Sequence, residues 1–451
     1  MQRLNSTSRL PLWIGLTLAA LLGCGRQAAP QAKAPAGSPR TAAATTLPHA
    51  ATASDAPANL PSSATEPQAG PLLRRWLAEF AADRPIALVA GQERVVVVQR
   101  ETQDRLRGAA FDAIGRPIWQ TTAAVEPATA LVATGPMLAV QAGNALWAGE
   151  RGGALLGHWQ ADGQAQARRL PMPLAGLVGQ TDGAALVVLQ QPAGARVARL
   201  HGEGGSVWEV AVALPTPVTA AVGILRGDAV LLGRPAAGGR AGWWLARLAA
   251  ADGKVLWQRE VEQRHLPRAA ELLGITTALG GVAILTAGLH PGDRNEPWTL
   301  LRIDANGVVG ESTLVPRAAP EAVVAGDADW LALGQARDGG LWLECWGGRL
   351  QSRYRAPWLG IEMPLALARG GANEVWSISN VWTGGKGGDQ LLLSRLRFDL
   401  GSLHSGDCKE SHCTATWQTG RDCAEIPASD GSPCGPGAVC TKGQCGAAPR
   451  P

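Results

Sequence analysis

Short apolar runs, each broken by a glycine turn, recur along the chain from about residue 85 to residue 400. The clearest copy is Trp243 to Val261, WWLARLAAADGKVLWQREV. It predicts an apolar strand, a tight turn at Ala251-Asp252-Gly253, and a second strand through Trp257. The turn glycines are Gly115, Gly163, Gly205, Gly253, Gly307 and Gly348, with Gly401 a weaker seventh, so successive turns lie 41 to 54 residues apart. Two further apolar runs precede most of these hairpins, such as ALVAGQ and RVVVVQ in the first unit and AAVGIL and DAVLLG in the fourth.

Four strands in roughly 40–50 residues is the size of one propeller blade. A lone four-stranded sheet leaves both faces uncovered and both edges unpaired, and radial packing of several sheets removes most of that exposure. The expected fold is therefore all-β, a β-propeller of about seven blades near 85–126, 127–172, 173–216, 217–264, 265–317, 318–359 and 360–402. Six or eight blades are the alternatives, because the last unit carries the insertion GGKGGD and the ends must close the ring.

Gly253-Lys254-Val255-Leu256-Trp257 and Gly115-Arg116-Pro117-Ile118-Trp119 resemble the G-K-x-x-W end of the blade motif in PQQ-like propellers. That family includes quinoprotein dehydrogenases and a lipoprotein scaffold of outer-membrane protein assembly. The family's upstream Ala and Asp fall at Arg247 and Ala249, so that part of the motif is missing. Phe111-Asp112-Ala113-x-Gly115 and Ile303-Asp304-Ala305-x-Gly307 are similar instead to bacterial propeller repeats with a D-A-x-G turn. There the Asp is expected to accept hydrogen bonds from the turn's own backbone.

Composition sharpens this picture. Charged residues are 17% of the chain, against 57 Gly and 31 Pro, which suits short strands and turns. The 17 Trp, set against one Tyr and three Phe, read as packing wedges between sheets. Net charge is +4, and loss of Arg3 and Arg9 with a leader leaves 39 basic against 37 acidic residues. With no block of like charge, no nucleic-acid partner is expected.

The N-terminus carries the three parts of a secretory leader over residues 1–23: basic Arg3 and Arg9, apolar Leu10 to Leu22, and a small residue at Gly23. Leu21-Leu22-Gly23-Cys24 resembles the lipobox of bacterial lipoproteins, which implies acylation of Cys24 as the first mature residue. Gly25 stands where an Asp would signal inner-membrane retention, so an outer-membrane lipoprotein anchored by two or more acyl chains is expected. Residues 24–71 hold the lipidated cysteine and a tether rich in Ala, Pro, Thr, Ser and Gln, too polar to fold. As a flexible coil it would reach roughly 35–40 Å. Leu72 to Ala82, LLRRWLAEFAA, has apolar residues at helical spacing and predicts a short amphipathic helix opening the propeller region of 72–402.

Residues 403–451 contain six of the eight cysteines: Cys408, Cys413, Cys423, Cys434, Cys440 and Cys445. In an exported chain they predict a small disulfide-rich module with three bridges, whose pairing spacing alone does not choose. Asp430-Gly431-Ser432-Pro433-Cys434-Gly435 through Cys445 resembles the DG-x-PCG run of extracellular cysteine-rich modules, which carries no catalytic group. A zinc site using His412 and Cys413 is the rival, disfavoured because no C-x-x-C pair exists. Cys345 is left over and reads as a buried thiol.

No H-E-x-x-H, G-x-S-x-G, Walker or dinucleotide motif occurs. Thr383 to Asp389 lacks the G-K-[ST] order of a phosphate loop, and Asp293, Asn295 and Glu296 sit in a polar loop where calcium is conceivable but weakly signalled. A quinoprotein dehydrogenase would need calcium ligands, a catalytic Asp and usually an adjacent cysteine pair, and no Cys-Cys exists here. The expectation is a non-enzymatic, lipid-anchored envelope scaffold with no cofactor, binding a protein or glycan partner. A degenerate PQQ-type oxidoreductase and a scaffold of outer-membrane protein assembly are the alternatives.

Overall fold

The computed structural model describes residues 72–448, apart from short loop segments, together with the pair Thr17–Leu18, which runs parallel to Ala139–Val140. Cys24 and the rest of the 24–71 tether lie outside the described residues, as do the loops at 291–297 and 383–388. Among the described residues no helix is long and apolar enough to cross a membrane.

Seven antiparallel sheets carry the fold. The first six blades take their four strands in sequence, over 86–124, 137–169, 174–212, 218–261, 271–315 and 322–356. The innermost strand of each blade contacts those of both neighbours, and that of the seventh contacts that of the first, so the ring is closed. Each interface is filled by aliphatic side chains from two facing sheets. Val96, Val98 and Leu106 of blade 1 meet Met137, Leu146 and Trp159 of blade 2, and Val187 and Leu189 of blade 3 meet Leu138 and Leu156 of blade 2. Near-continuous apolar strands such as Ala185–Gln190 follow from this, because both faces of a blade are covered.

The seventh blade departs from the expected unit. Only Ile361–Gly371, Glu374–Trp382 and Asp389–Arg397 come from the C-terminal side, and the outermost strand is Leu72–Ala78. The segment expected as a helix is thus a strand, paired antiparallel with Asp389–Arg397 from Leu72↔Arg397 to Ala78↔Leu391. Tertiary pairing overrides the local periodicity. As a strand it places Leu73 against the blade 6–7 core and Ala78 in the blade 7–1 core, where a surface helix would leave Leu391 and Leu393 uncovered.

The turn glycines explain the tryptophans. A Cβ on Gly115, Gly163 or Gly253 would come within 2.7 Å of Trp76, Trp119 or Trp208 respectively, each on the outer strand of the preceding blade. Gly115, Gly163 and Gly253 also have positive φ (86°, 89° and 72°), which a β-carbon disfavours. Trp257 approaches Gly307 of blade 5 in the same way. The G-x-x-x-W spacing therefore encodes two surfaces at once: a turn that only glycine fits, and an indole that lies on the next such turn. The turn aspartates behave as expected, since Asp112 Oδ1 accepts from the Ile114 and Arg116 amides at 2.9 Å, and Asp304 Oδ1 accepts from Asn306 and Val308 at 2.8 Å.

The cysteine module is docked rather than appended. Its strand Thr414–Thr419 pairs with the outer strand of blade 6, Leu350–Ala356, from Ser352↔Thr419 to Arg355↔Thr416, and Asp422–Pro427 follows beside it. The bridges are Cys408–Cys423, Cys413–Cys440 and Cys434–Cys445. Cys413, Trp417, Ile426 and Cys440 share one core with Leu73, Leu341, Leu343 and Leu396 of blades 6 and 7.

Candidate functional site: the open junction between blades 1 and 2

An arginine bracket closes several junctions on the face that carries the turn glycines. In blade 4, Arg247 pairs across the sheet with Trp257, donates to Asp228 Oδ2 through Nε (3.0 Å) and Nη2 (2.6 Å), and reaches the Ala305 carbonyl of blade 5 at 2.7 Å. Trp257 Nε1 donates to the same carbonyl at 3.0 Å. In blade 7, Arg395 donates to Glu374 at 2.6 Å and to the Ala113 carbonyl of blade 1 at 2.9 Å. In blade 3, Arg199 stands opposite Trp208, pairs with Asp182, and Trp208 Nε1 donates to the Ala250 carbonyl of blade 4 at 3.3 Å. The position that departs from the quinoprotein-like motif, Arg247, is thus an inter-blade clamp.

Blade 1 lacks the clamp. Opposite Trp119 stands Ala110, which is fully buried and has no guanidinium to extend toward blade 2. A notch opens here, lined by Trp119, Arg94, Gln141, Asn144 and Gln160 over a floor of Val89, Val96 and Leu146. It is a shallow notch with a cavity volume of about 20 Å³, open to solvent. The indole N–H of Trp119 is buried and has no hydrogen-bond partner among the described residues. Burial of an unpaired donor costs roughly 1–3 kcal/mol, a cost that the Trp76 and Trp159 indoles share. Gln141 is partly committed, its Nε2 donating to the Gly143 carbonyl at 3.0 Å, while the exposed Asn144 and Gln160 carry both donors and acceptors.

The matching position of blade 2 holds His158, whose ring lies 4.4 Å from that of Trp147 and against Gly202 of blade 3. Burial, then the charge of Arg168, hold its pKa below the usual histidine value of 6.5. It fills its junction with a ring packed on Trp147. A second void, between blades 6 and 7, is lined by Arg75, Ser377 and Ser394 beneath Leu341 and Leu343. Nearby, Glu362 is fully buried, and burial raises its carboxyl above the ordinary range against the opposing influence of Arg75 and the Ser379 hydroxyl. This polar group lies inside the closure blade and has no route to solvent through its own side chain.

Of the residues singled out in the sequence, the six module cysteines come together as three bridges. Cys413 is joined to Cys440, so it does not pair with His412 as a zinc site would require. His404 lies 3.9 Å from Cys408 Sγ beside the Cys408–Cys423 bridge. Cys345 lies in the strand Leu341–Gly347 of blade 6, opposite Leu331 and Ser352. The notch residues escaped the sequence because their signal is an absence: Ala110 where blades 3, 4 and 7 carry arginine.

No protein-family model and no curated protein matches this chain. Among solved structures it is similar to virginiamycin B lyase from Staphylococcus aureus, with 13% identity and a TM-score of 0.45 over 72% of this chain and 99% of that one. It is similar also to BamB from Moraxella catarrhalis (12%, 0.39, over 69% and 84%) and to the Dos1 propeller (10%, 0.46, over 72% and 94%). The assignment as a closed seven-bladed β-propeller with a docked disulfide module rests on this chain's own sheets and ring contacts.

Proposed function

We propose that this chain is a non-enzymatic binding scaffold of the bacterial envelope, held at the outer membrane through acylated Cys24 and presenting the turn face of its propeller to a protein or glycan partner. The observation that carries this reading is the blade 1–2 junction, a notch rimmed beside Trp119 by the exposed amide side chains of Gln141, Asn144 and Gln160. Such groups hydrogen-bond peptide carbonyls or sugar hydroxyls and offer no nucleophile or base for chemistry. The scaffold reading is tested by capture from the envelope fraction at physiological salt with wild type and Asn144→Ala/Gln160→Ala, which removes two exposed amides from the rim. A partner retained by wild type and lost by the variant supports it; equal capture by both, or none by either, refutes it. Mass spectrometry of the mature N-terminus tests the anchor, since an unmodified Cys24 contradicts it. Addition of PQQ and calcium tests the absence of quinoprotein activity, which dye reduction would overturn.

A further inference from the structure

We infer that the C-terminal module is the lock of the propeller ring and that Cys413–Cys440 is its pin, so that oxidation completes the seal on the closure strand. The closure strand Leu72–Ala78 pairs with Asp389–Arg397 on one edge, and its other edge faces outward from blade 7. The module covers that edge. Leu73 forms a parallel bridge with Ala428, its carbonyl accepts from the Ser429 amide at 2.9 Å, and the Arg75 amide donates to Ser432 Oγ at 3.4 Å.

The same module grips blade 6 through Thr416–Thr419 on Ser352–Arg355. It therefore spans two blades: the hairpin stitched to blade 6 brings Ala428 and Ser429 onto Leu73, and the segment beyond it brings Ser432 onto Arg75. Cys413 immediately precedes the strand paired to blade 6, and its carbonyl accepts from the Ala428 amide at 2.9 Å. Cys440 holds the other part: its amide donates to the Ser432 carbonyl and its carbonyl accepts from the Gly431 amide, both at 2.8 Å. The Cys413–Cys440 bond joins these two parts covalently, whereas Cys408–Cys423 ties the peripheral hairpin around Gly406 and His404. Opening the pin takes two electrons and two protons from a dithiol, which is itself oxidised to a disulfide, and leaves two thiols in a core shared with Leu73 and Leu396. In a reducing compartment the closure strand would keep Ala428 and Ser429 on Leu73 but lose the covalent tie that holds Ser432 and the segment around Cys440 beside Arg75. After export and oxidation, the two ends of the chain are clamped together.

The test is amide hydrogen exchange on the full chain with disulfides formed, comparing wild type with Cys413→Ala/Cys440→Ala and with Cys408→Ala/Cys423→Ala. Removing a cross-link that closes 27 residues should speed exchange across Leu72–Ala78 by on the order of a hundredfold. Exchange in blades 2 to 4 should not change, and the Cys408/Cys423 variant should leave the closure strand protected. Unchanged protection in the Cys413/Cys440 variant, or equal loss in both variants, overturns the proposal. Should the Cys413/Cys440 variant fail to fold, the Cys408→Ala/Cys423→Ala variant compared before and after reduction by a dithiol and alkylation gives the test instead: faster exchange across Leu72–Ala78 only after reduction supports the proposal, and unchanged exchange overturns it.

Discussion

The indole of Trp119 lies on Gly163 of the following blade so closely that a Cβ on that glycine would sit 2.7 Å from the ring. The contact links the two blades that flank the candidate site. It also ties the repeat spacing in the sequence to the packing between blades.

Gly163→Ala should destabilise the protein by about 2–4 kcal/mol, combining a left-handed backbone with an overpacked contact. Gly152 has similar backbone geometry (φ 78°), but a Cβ there would meet no atom within 4 Å, so Gly152→Ala should cost only about 1 kcal/mol. Chemical denaturation of both variants checks the contrast, and equal losses would show that the indole contact contributes nothing.

The arginine bracket should matter far more than a surface pair. Arg247→Ala leaves the buried Asp228 with the Ala250 amide but without its guanidinium and should cost about 3–5 kcal/mol. Arg196 pairs with Glu209 where both side chains remain substantially exposed, so Arg196→Ala should change stability by less than about 1 kcal/mol. Denaturant midpoints at matched slope decide this.

His158 gives a pH signature. Its folded-state pKa lies below 6.5 because burial, and then Arg168, disfavour the charged ring. The unfolded chain takes up the proton first as pH falls through 6.5, so this contribution to stability is full above that value and is lost progressively below it. Melting temperatures from pH 7.5 to 5.5 should therefore fall more steeply for wild type than for His158→Gln. Parallel curves would remove the claim.

Deleting residues 72–78 should abolish soluble folding, since Leu391, Leu392 and Leu393 on the neighbouring strand are fully buried and would lie at an unpaired edge. Deleting residues 25–70 should leave the melting temperature within about 2 °C, as their composition supplies no core. A marked fall on removing the tether would assign it a structural role.

The sequence by itself determined the local units. Alternating apolar runs, turn glycines and Asp112- or Asp304-type turns fix strands and hairpins because their physics operates within a few residues. The dense cysteines likewise announced three bridges. Tertiary structure decided which distant surfaces meet: Leu72–Ala78 becomes the seventh blade's outer strand, Cys413 bonds Cys440, and the module spans blades 6 and 7. Those choices depend on closing a ring whose ends are far apart in sequence, and no local spacing records them. The notch beside Trp119 belongs to the same class, because an alanine at position 110 opens a junction only when blades 3, 4 and 7 show what an arginine does there.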